Sequence, residues 1–266
     1  MIELLHIQTQ TIHAVQEAAN FIQQQIGHVH QQDVEVKSLN SLVTYVDKEA
    51  EKILVNELKN CLPQATFITE ENTIEQQQGE WQWIIDPLDG TTNFIHQVPV
   101  FCISVALKYR DEIVVGVVYE LNRNELFYAS KNKGAFLNGN KIQVSTTQSM
   151  SESLIATGFP YYDFDFIDTY LSFFKQLMTT TRGIRRLGSA AVDLCYIACG
   201  RFDAYFEYAL SPWDVAAGAL IVQEAGGVVA DFKGENNWLF GREIVATNRL
   251  IATTFQSTLS SFFINK

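Results

Sequence analysis

The sequence predicts a layered α/β fold with mixed sheets. Two observations carry that expectation. Segments with helical apolar spacing interleave with short runs rich in β-branched and aromatic residues along the whole chain. The interleaving never settles into simple βαβ repetition, and one pair of runs is joined only by Arg110-Asp111-Glu112, which reads as an antiparallel hairpin.

From about residue 3 to 26, Leu4, Leu5, Val15, Ala18, Ala19, Ile22 and Ile26 recur at near-helical spacing, and Gly27 stops the helix. A second helix is expected from about Val46 to Leu62. Thr44 and Asp47 form an S/T-x-x-D capping signal at its start, and Pro63 follows its end. Strand-like runs follow at Thr66–Thr69, Trp83–Asp86, Phe101–Tyr109, Ile113–Glu120 and Glu125–Ala129, with Asn138-Gly139 as a tight-turn signal. The second half alternates. Strands are expected at Leu154–Gly158, Ile184–Leu187, Ala204–Tyr208, Val228–Asp231 and Ile244–Thr247. Helices are expected at Asp165–Thr180, Ser189–Cys199, Trp213–Ala225 and near Ala252–Phe262.

Composition sets the class. The 266 residues are 47% apolar and 18% charged, an ordinary globular balance with length for one large core or two closely packed lobes. The net charge of -11 disfavours nucleic acid and anionic membrane as partners. Four cysteines, none in a C-x-x-C pair, need no disulfide framework and fit a reducing cytoplasm. Cys195 and Cys199 read as buried thiols. The first residues lack a basic region and a sustained apolar run, so no signal peptide is expected, and no segment is long and apolar enough to span a membrane.

The chemistry concentrates in Trp83-Ile84-Ile85-Asp86-Pro87-Leu88-Asp89-Gly90-Thr91-Thr92-Asn93-Phe94. An apolar strand ends on an acid, Pro87 stiffens the turn, a second acid follows, and Gly90 frees the backbone before two hydroxyl residues. Mg²⁺ takes hard oxygen ligands, so Asp86, Asp89 and the intervening Leu88 carbonyl could serve it. The amides of Gly90 and Thr91 would face a phosphate at a helix start. Taken alone, the same residues make a common β-turn. Glu70-Glu71 close an earlier strand about fifteen residues upstream, compatible with two neighbouring strands delivering acids to one edge. In Ser211-Pro212-Trp213-Asp214, Asp214 fits a capping box completed by Ser211, a role that leaves the carboxylate able to face a cleft.

Together these segments resemble the inositol monophosphatase family, over roughly Asp33 to Leu250. The second matching motif is Trp213-Asp214-Val215-Ala216-Ala217-Gly218-Ala219 followed by Glu224-Ala225-Gly226-Gly227. The resemblance implies a five-layered αβαβα sandwich with mixed and antiparallel sheets. It implies one phosphatase unit of two packed lobes, about 1–145 and 146–266, and two or three Mg²⁺ per site. Glu70, Asp86 and the Leu88 carbonyl then match ligands of the first ion, and Asp86, Asp89 and Asp214 those of the second. Asp47 and Thr91 match a pair that, with Glu70, activates water. Lys37 matches a lysine near the metals, and Gly90, Thr91 and Thr92 the phosphate cradle. Ser189, Ala190 and Glu207 match positions near the substrate alcohol. Thr69 departs from the family, where a glycine often precedes the paired glutamates.

The implied activity is hydrolysis of a small phosphate monoester, foremost inositol monophosphate, by a cytoplasmic, lithium-sensitive homodimer. NADP 2′-phosphate, fructose 1,6-bisphosphate and 3′-phosphoadenosine nucleotides remain alternatives, as does a regulatory binding protein without turnover. Other constellations are weak. His28 and His30 read as surface residues, and no H-E-x-x-H, G-x-S-x-G or P-loop motif occurs. Arg182, Arg185 and Arg186 read as a solvated face, an anion contact or a dimer interface. Tyr161-Tyr162 and Phe173-Phe174 read as packing residues.

Overall fold

The computed structural model describes residues 3–29, 34–38, 41–161 and 163–263. Helix α1 (Leu4–Gln25) leads into a small antiparallel pair, β1 (Val34–Ser38) and β2 (Ser41–Thr44), followed by α2 (Tyr45–Cys61). A seven-stranded sheet comes next. It comprises β3 (Thr66–Thr69), β4 (Trp81–Asp89), β5 (Cys102–Tyr109), β6 (Glu112–Glu120), β7 (Glu125–Ser130), β8 (Ala135–Leu137) and β9 (Asn140–Ile142), in that order across the sheet. Among the described strands of this sheet, only β3 and β4 pair in parallel. A short helix, α3 (Thr91–Ile95), leaves the end of β4.

The second sheet has the order β11-β10-β12-β14-β13. Its strands are β10 (Leu154–Thr157), β11 (Gly183–Arg185), β12 (Ala204–Tyr208), β13 (Val228–Ala230) and β14 (Glu243–Thr247). The interspersed helices are α4 (Ile167–Thr180), α5 (Ala190–Ala198), α6 (Pro212–Glu224) and α7 (Ala252–Phe263). Parallel β10–β11 and β10–β12 pairs sit beside antiparallel β12–β14 and β13–β14 pairs, so the sheet is mixed, as expected.

Side-chain alternation sorts these elements into five layers. Along β4, Trp83 and Ile85 face a core with Val15, Ile22, Leu54 and Leu58 of α1 and α2, while Ile84 faces the opposite core. That opposite core is built on α5 and α6, and Tyr205 of β12 and Ile244 and Ala246 of β14 close it from the far side. Phe206 and Val245, one residue on, turn away to pack with Tyr170 and Phe173 of α4 and Phe255 and Leu259 of α7. The αβαβα order follows. α6 is apolar nearly all round because a sheet covers it on both sides. Its contacts are close: a Cβ at Gly218 would lie 2.6 Å from Leu194 of α5, and one at Gly116 of β6 would lie 2.8 Å from the Ala217 carbonyl. The small residues of the Ala216–Ala219 motif therefore serve packing of the central layer.

Three local differences separate the structure from the sequence reading. β1 and β2 occupy a stretch without expected elements. β8 and β9 flank the Asn138-Gly139 turn, whose φ angles of 48° and 82° suit a two-residue hairpin, but three-residue strands are too short to show alternation. β4 runs three residues beyond Asp86, carried by ladder pairing that resumes at Asp89. Among the described residues no helix is long and apolar enough to cross a membrane.

Candidate active site

Parallel pairing of β3 with β4 sets Thr69 opposite Ile85, and the Glu70 amide donates to the Ile85 carbonyl at 3.2 Å. Glu70 and Asp86, each the next residue along, therefore emerge side by side at one sheet edge. The ladder between β4 and β5 pairs Asp86 with Ser104 and then Asp89 with Cys102. Three steps on β4 thus match two on β5, a bulge that re-aims the Asp86–Asp89 segment. Within it the Leu88 amide donates to Asp86 Oδ1 at 2.9 Å. Gly90 then adopts φ +94°, where a Cβ would also stand 3.0 Å from the Val100 carbonyl, so glycine suits both conformation and space.

Three of the acids are tied to helix starts. Asp47 is the third residue of α2, and its Oδ2 accepts from the Thr44 amide (2.8 Å) and hydroxyl (2.7 Å), completing the capping box. Its Oδ1 accepts from the Thr91 hydroxyl at 2.8 Å. That hydroxyl also lies 3.0 Å from the Leu88 carbonyl, so its single proton is shared between two acceptors. Asp214 occupies the same position in α6, its Oδ2 accepting from the Ser211 amide at 2.7 Å. Ser104 fixes that helix start over β5 by donating to the Trp213 carbonyl at 3.2 Å. Asp89 Oδ2 reaches across the chain to accept from the Ser189 hydroxyl (2.7 Å) and the Ala191 amide (2.8 Å) at the start of α5.

Glu70, Asp86, Leu88, Asp89, Gly90, Thr91, Thr92 and Asp214 line one cavity of about 350 Å³. Its electrostatics are those of crowded acids. Burial first, then the charges of Glu70, Asp89 and Asp214, hold the Asp86 carboxyl well above its usual range. Burial, then Asp89 and Glu70, do the same to Asp214. Burial pushes Asp89 to about 6 against the pull of Ser189 and Ala191, and burial also raises Asp47. Among the described residues, no three acidic, histidine or cysteine side chains close into a ready-made cage for an ion. The donor set nonetheless fits Mg²⁺, which keeps several waters and takes hard oxygens from one or two carboxylates and the substrate. Repulsion among carboxylates is what a divalent cation would relieve.

A second cavity, of about 260 Å³, adjoins the first and shares Glu70, Asp89 and Asp214. Ser189, Ala190 and Glu207 line it. The Tyr205 hydroxyl donates to Glu207 Oε2 at 2.5 Å, and burial pushes Glu207 to about 7. A Cβ at Gly158 would overlap the Glu207 carboxylate, 2.0 Å away, so the glutamate rests directly on that backbone. Lys37 lies on β1, but its side chain is outside the described residues, and so is Tyr162.

Two readings of the sequence change here. Arg186 leaves the solvated cluster: it lines both cavities, packs over the rings of Phe159 and Tyr161, and donates to the Tyr161 hydroxyl at 3.2 Å. Tyr161 lines both cavities as well and is 39% exposed, so it is a wall of the site more than a packing residue. Glu51, absent from the sequence reading, is fully buried and anchors the Glu70 loop. It accepts from the Glu71 amide, and from the Thr73 amide and hydroxyl, each at 2.7 Å. Its signal was an acid one turn after Asp47, on the apolar stripe of α2. Asn93 was likewise missed: its amide bridges the Val100 (2.8 Å) and Leu187 (2.9 Å) carbonyls, joining the α3 loop to the segment before α5.

Five layers thus hold a carboxylate-lined cleft, capped by helix starts from both halves of the chain. The model of the inositol monophosphatase family matches residues 3–261, and the chain belongs to that family. The putative Nus factor SuhB of Neisseria meningitidis serogroup B is 42% identical over 93% of this chain and 95% of its own length. Nus factor SuhB of Escherichia coli K12 is 42% identical over 89% of each chain. Among solved structures, the extragenic suppressor protein suhB of Bartonella henselae superposes with a TM-score of 0.89 at 38% identity, covering 94% of this chain and 97% of that one. An IMPase of Thermotoga maritima gives 0.85 at 34% identity, covering 94% and 95%.

Proposed function

We propose that this protein hydrolyses a small phosphate monoester with Mg²⁺, inositol monophosphate being the foremost substrate. The observation that supports this most is the convergence of Glu70, Asp86, Asp89 and Asp214 with the Thr91–Asp47 pair on one cavity. Glu70, Asp86 and the Leu88 carbonyl would hold one ion, and Asp86, Asp89 and Asp214 another, in a site taking two or three. Bound Mg²⁺ supplies acidification of water and charge stabilisation of the attacking and leaving oxygens.

The chain's own groups do the rest. Asp47 Oδ1 accepts the hydrogen bond of the Thr91 hydroxyl, which leaves a lone pair of that hydroxyl to accept from the attacking water. Glu70 and the Thr91–Asp47 pair orient that water. The amides of Gly90, Thr91 and Thr92 hold the phosphate, and Lys37 adds positive charge nearby. Ser189, Ala190 and Glu207 face the alcohol. Attack is in line, without a covalent phosphoenzyme. The two halves, about 1–145 and 146–266, act as one catalytic unit in a cytoplasmic homodimer.

A panel of inositol 1-phosphate, NADP, fructose 1,6-bisphosphate and a 3′-phosphoadenosine nucleotide, with and without Mg²⁺ and with added Li⁺, tests the reading. Mg²⁺-dependent, Li⁺-inhibited release of phosphate, fastest from inositol 1-phosphate, is expected. A different fastest ester would move the substrate assignment, and no release from any would overturn the enzyme. The name Nus factor carried by relatives at 42% and 43% identity supports a second reading, a regulatory role beside turnover. An Asp89→Asn protein that still restores a cell lacking this protein would separate that role from catalysis.

A further inference from the structure

The parallel ladder between β10 and β12 ends at the Thr157–Phe206 pair, and the next residue on each side, Gly158 and Glu207, lines the cavity that adjoins the metal-binding one. Two side-chain hydroxyls hold the backbone at this point. Thr157 donates to the Phe206 carbonyl at 2.8 Å. Tyr170, arriving from α4, donates to the Gly158 carbonyl at 2.8 Å, and its oxygen lies 3.2 Å from the Phe206 carbonyl. The two hydroxyls also meet each other. Two protons serve all these contacts, so neither hydroxyl has one to spare. Both residues are fully buried. Packing alone does not call for the Tyr170 hydroxyl. Its ring sits 5.0 Å from that of Phe206 and 5.1 Å from that of Tyr208, surroundings that phenylalanine would fill as well. The backbone does call for it, because buried carbonyls need a donor where a ladder stops. The Glu207 carboxylate rests on Gly158 with no room for a Cβ between them, and Phe159, Pro160 and Tyr161, which follow Gly158, continue the cavity wall.

Resting on the phosphatase reading above, we infer that Tyr170 and Thr157 are positioning residues for alcohol specificity, acting on Glu207 from the opposite face of the second sheet through the backbone of Gly158 and Phe206. Neither side chain meets the substrate. Strand alternation turns Phe206 toward Tyr170 and Glu207 the other way, so the main chain is the route between them. The hydroxyls fix two carbonyls, one on the residue beneath the Glu207 carboxylate and one on the residue before Glu207 itself. With both fixed, the carboxylate stands in one place against the substrate hydroxyls. With either released, it keeps its charge and loses its alignment, on which a hydrogen bond depends steeply. The phosphate chemistry of Asp86, Asp89 and Asp214 rests on β4 and the start of α6 instead, so it does not share this support.

The test compares inositol 1-phosphate with phenyl phosphate, whose alcohol part carries no hydroxyl, with Mg²⁺ present. Tyr170→Phe and Thr157→Val are each made in the wild-type and in the Glu207→Ala protein, so that one variant serves if the other fails to fold. The specificity ratio, kcat/KM for the first ester over the second, is expected to fall roughly tenfold in the wild-type background, as loss of one hydrogen bond to a charged group predicts. The fall should lie in KM for inositol 1-phosphate, with turnover of phenyl phosphate unchanged. In the Glu207→Ala background the same substitutions should leave the ratio where Glu207→Ala alone puts it, because the group they position is gone. A general loosening of the fold would instead lower both esters alike, or lower the ratio equally in both backgrounds, and either result overturns the positioning role. An unchanged ratio in the folded single variants, or in Glu207→Ala itself, overturns it while leaving the phosphatase intact. Hydrolysis of neither ester by the wild-type protein overturns both.

Discussion

Replacing Glu207 with glutamine should erase a component of the pH dependence of stability between pH 4.5 and 7. Burial raises this carboxyl from 4.5 to about 7, against the opposing pull of the Tyr205 hydroxyl and Arg186. Below the lower value the folded and unfolded chains both hold the proton. Through the window the unfolded chain releases it while the folded chain keeps it, so stability falls as pH rises. Above the upper value both are ionised and the loss is complete. At about 1.4 kcal/mol per unit of pKa, the loss is about 3 kcal/mol by pH 8. Glutamine keeps an acceptor for Tyr205 but does not titrate. Urea unfolding of both proteins at pH 4.5 and pH 8, with a chelator present, reads the Glu207 proton together with its coupling to Asp193 and Asp214. The stability of the variant relative to wild type should increase by about 3 kcal/mol between the two conditions. A difference that is the same at both pH values would refute the buried, proton-holding Glu207.

Other outcomes follow from the same geometry. Thr44→Ala removes the α2 cap and one of the two donors to Asp47 Oδ2, and should cost about 1 kcal/mol in thermal unfolding along with a severalfold loss of turnover. Glu51→Ala strips the acceptor from two amides and a hydroxyl, so at least ~2 kcal/mol of stability should go, and half-maximal activity should need more Mg²⁺ as the Glu70 loop loosens. Asp89→Asn should lower kcat by orders of magnitude with an unaltered circular dichroism spectrum; near-normal turnover would defeat its assignment as a metal ligand.

Legibility in the sequence followed how local the cause was. The capping boxes at Thr44–Asp47 and Ser211–Asp214 were readable because the pattern spans four residues and the helix starts where the pattern says. The neighbourhood of Glu70 and Asp86 was inferable because two strands each ended on an acid, and parallel pairing then aligned them. The reach of Asp89 to Ser189 and Ala191 spans about a hundred residues and depends on how the central helices seat, which no local pattern encodes. The same holds for Arg186: its sequence neighbours are arginines, but Phe159 and Tyr161, which hold it, arrive from another segment. Gly158 gave no signal because its reason is the Glu207 carboxylate resting on it.

The attachment of three site acids to helix starts has an evolutionary consequence. Asp47 and Asp214 cap the helices they belong to, and Asp89 secures the first turn of a third. A descendant that abandoned turnover would still be selected to keep a side-chain acceptor at all three, because losing it would weaken the helix starts. Asp86 is differently placed. Its bond to the Leu88 amide survives in an asparagine, so nothing in the folding of the chain defends its charge. Across lineages, then, an acceptor at positions 47, 89 and 214 reports inheritance of the scaffold, while the negative charges of Asp86, Asp89 and Asp214 together, which no cap requires, report the enzyme.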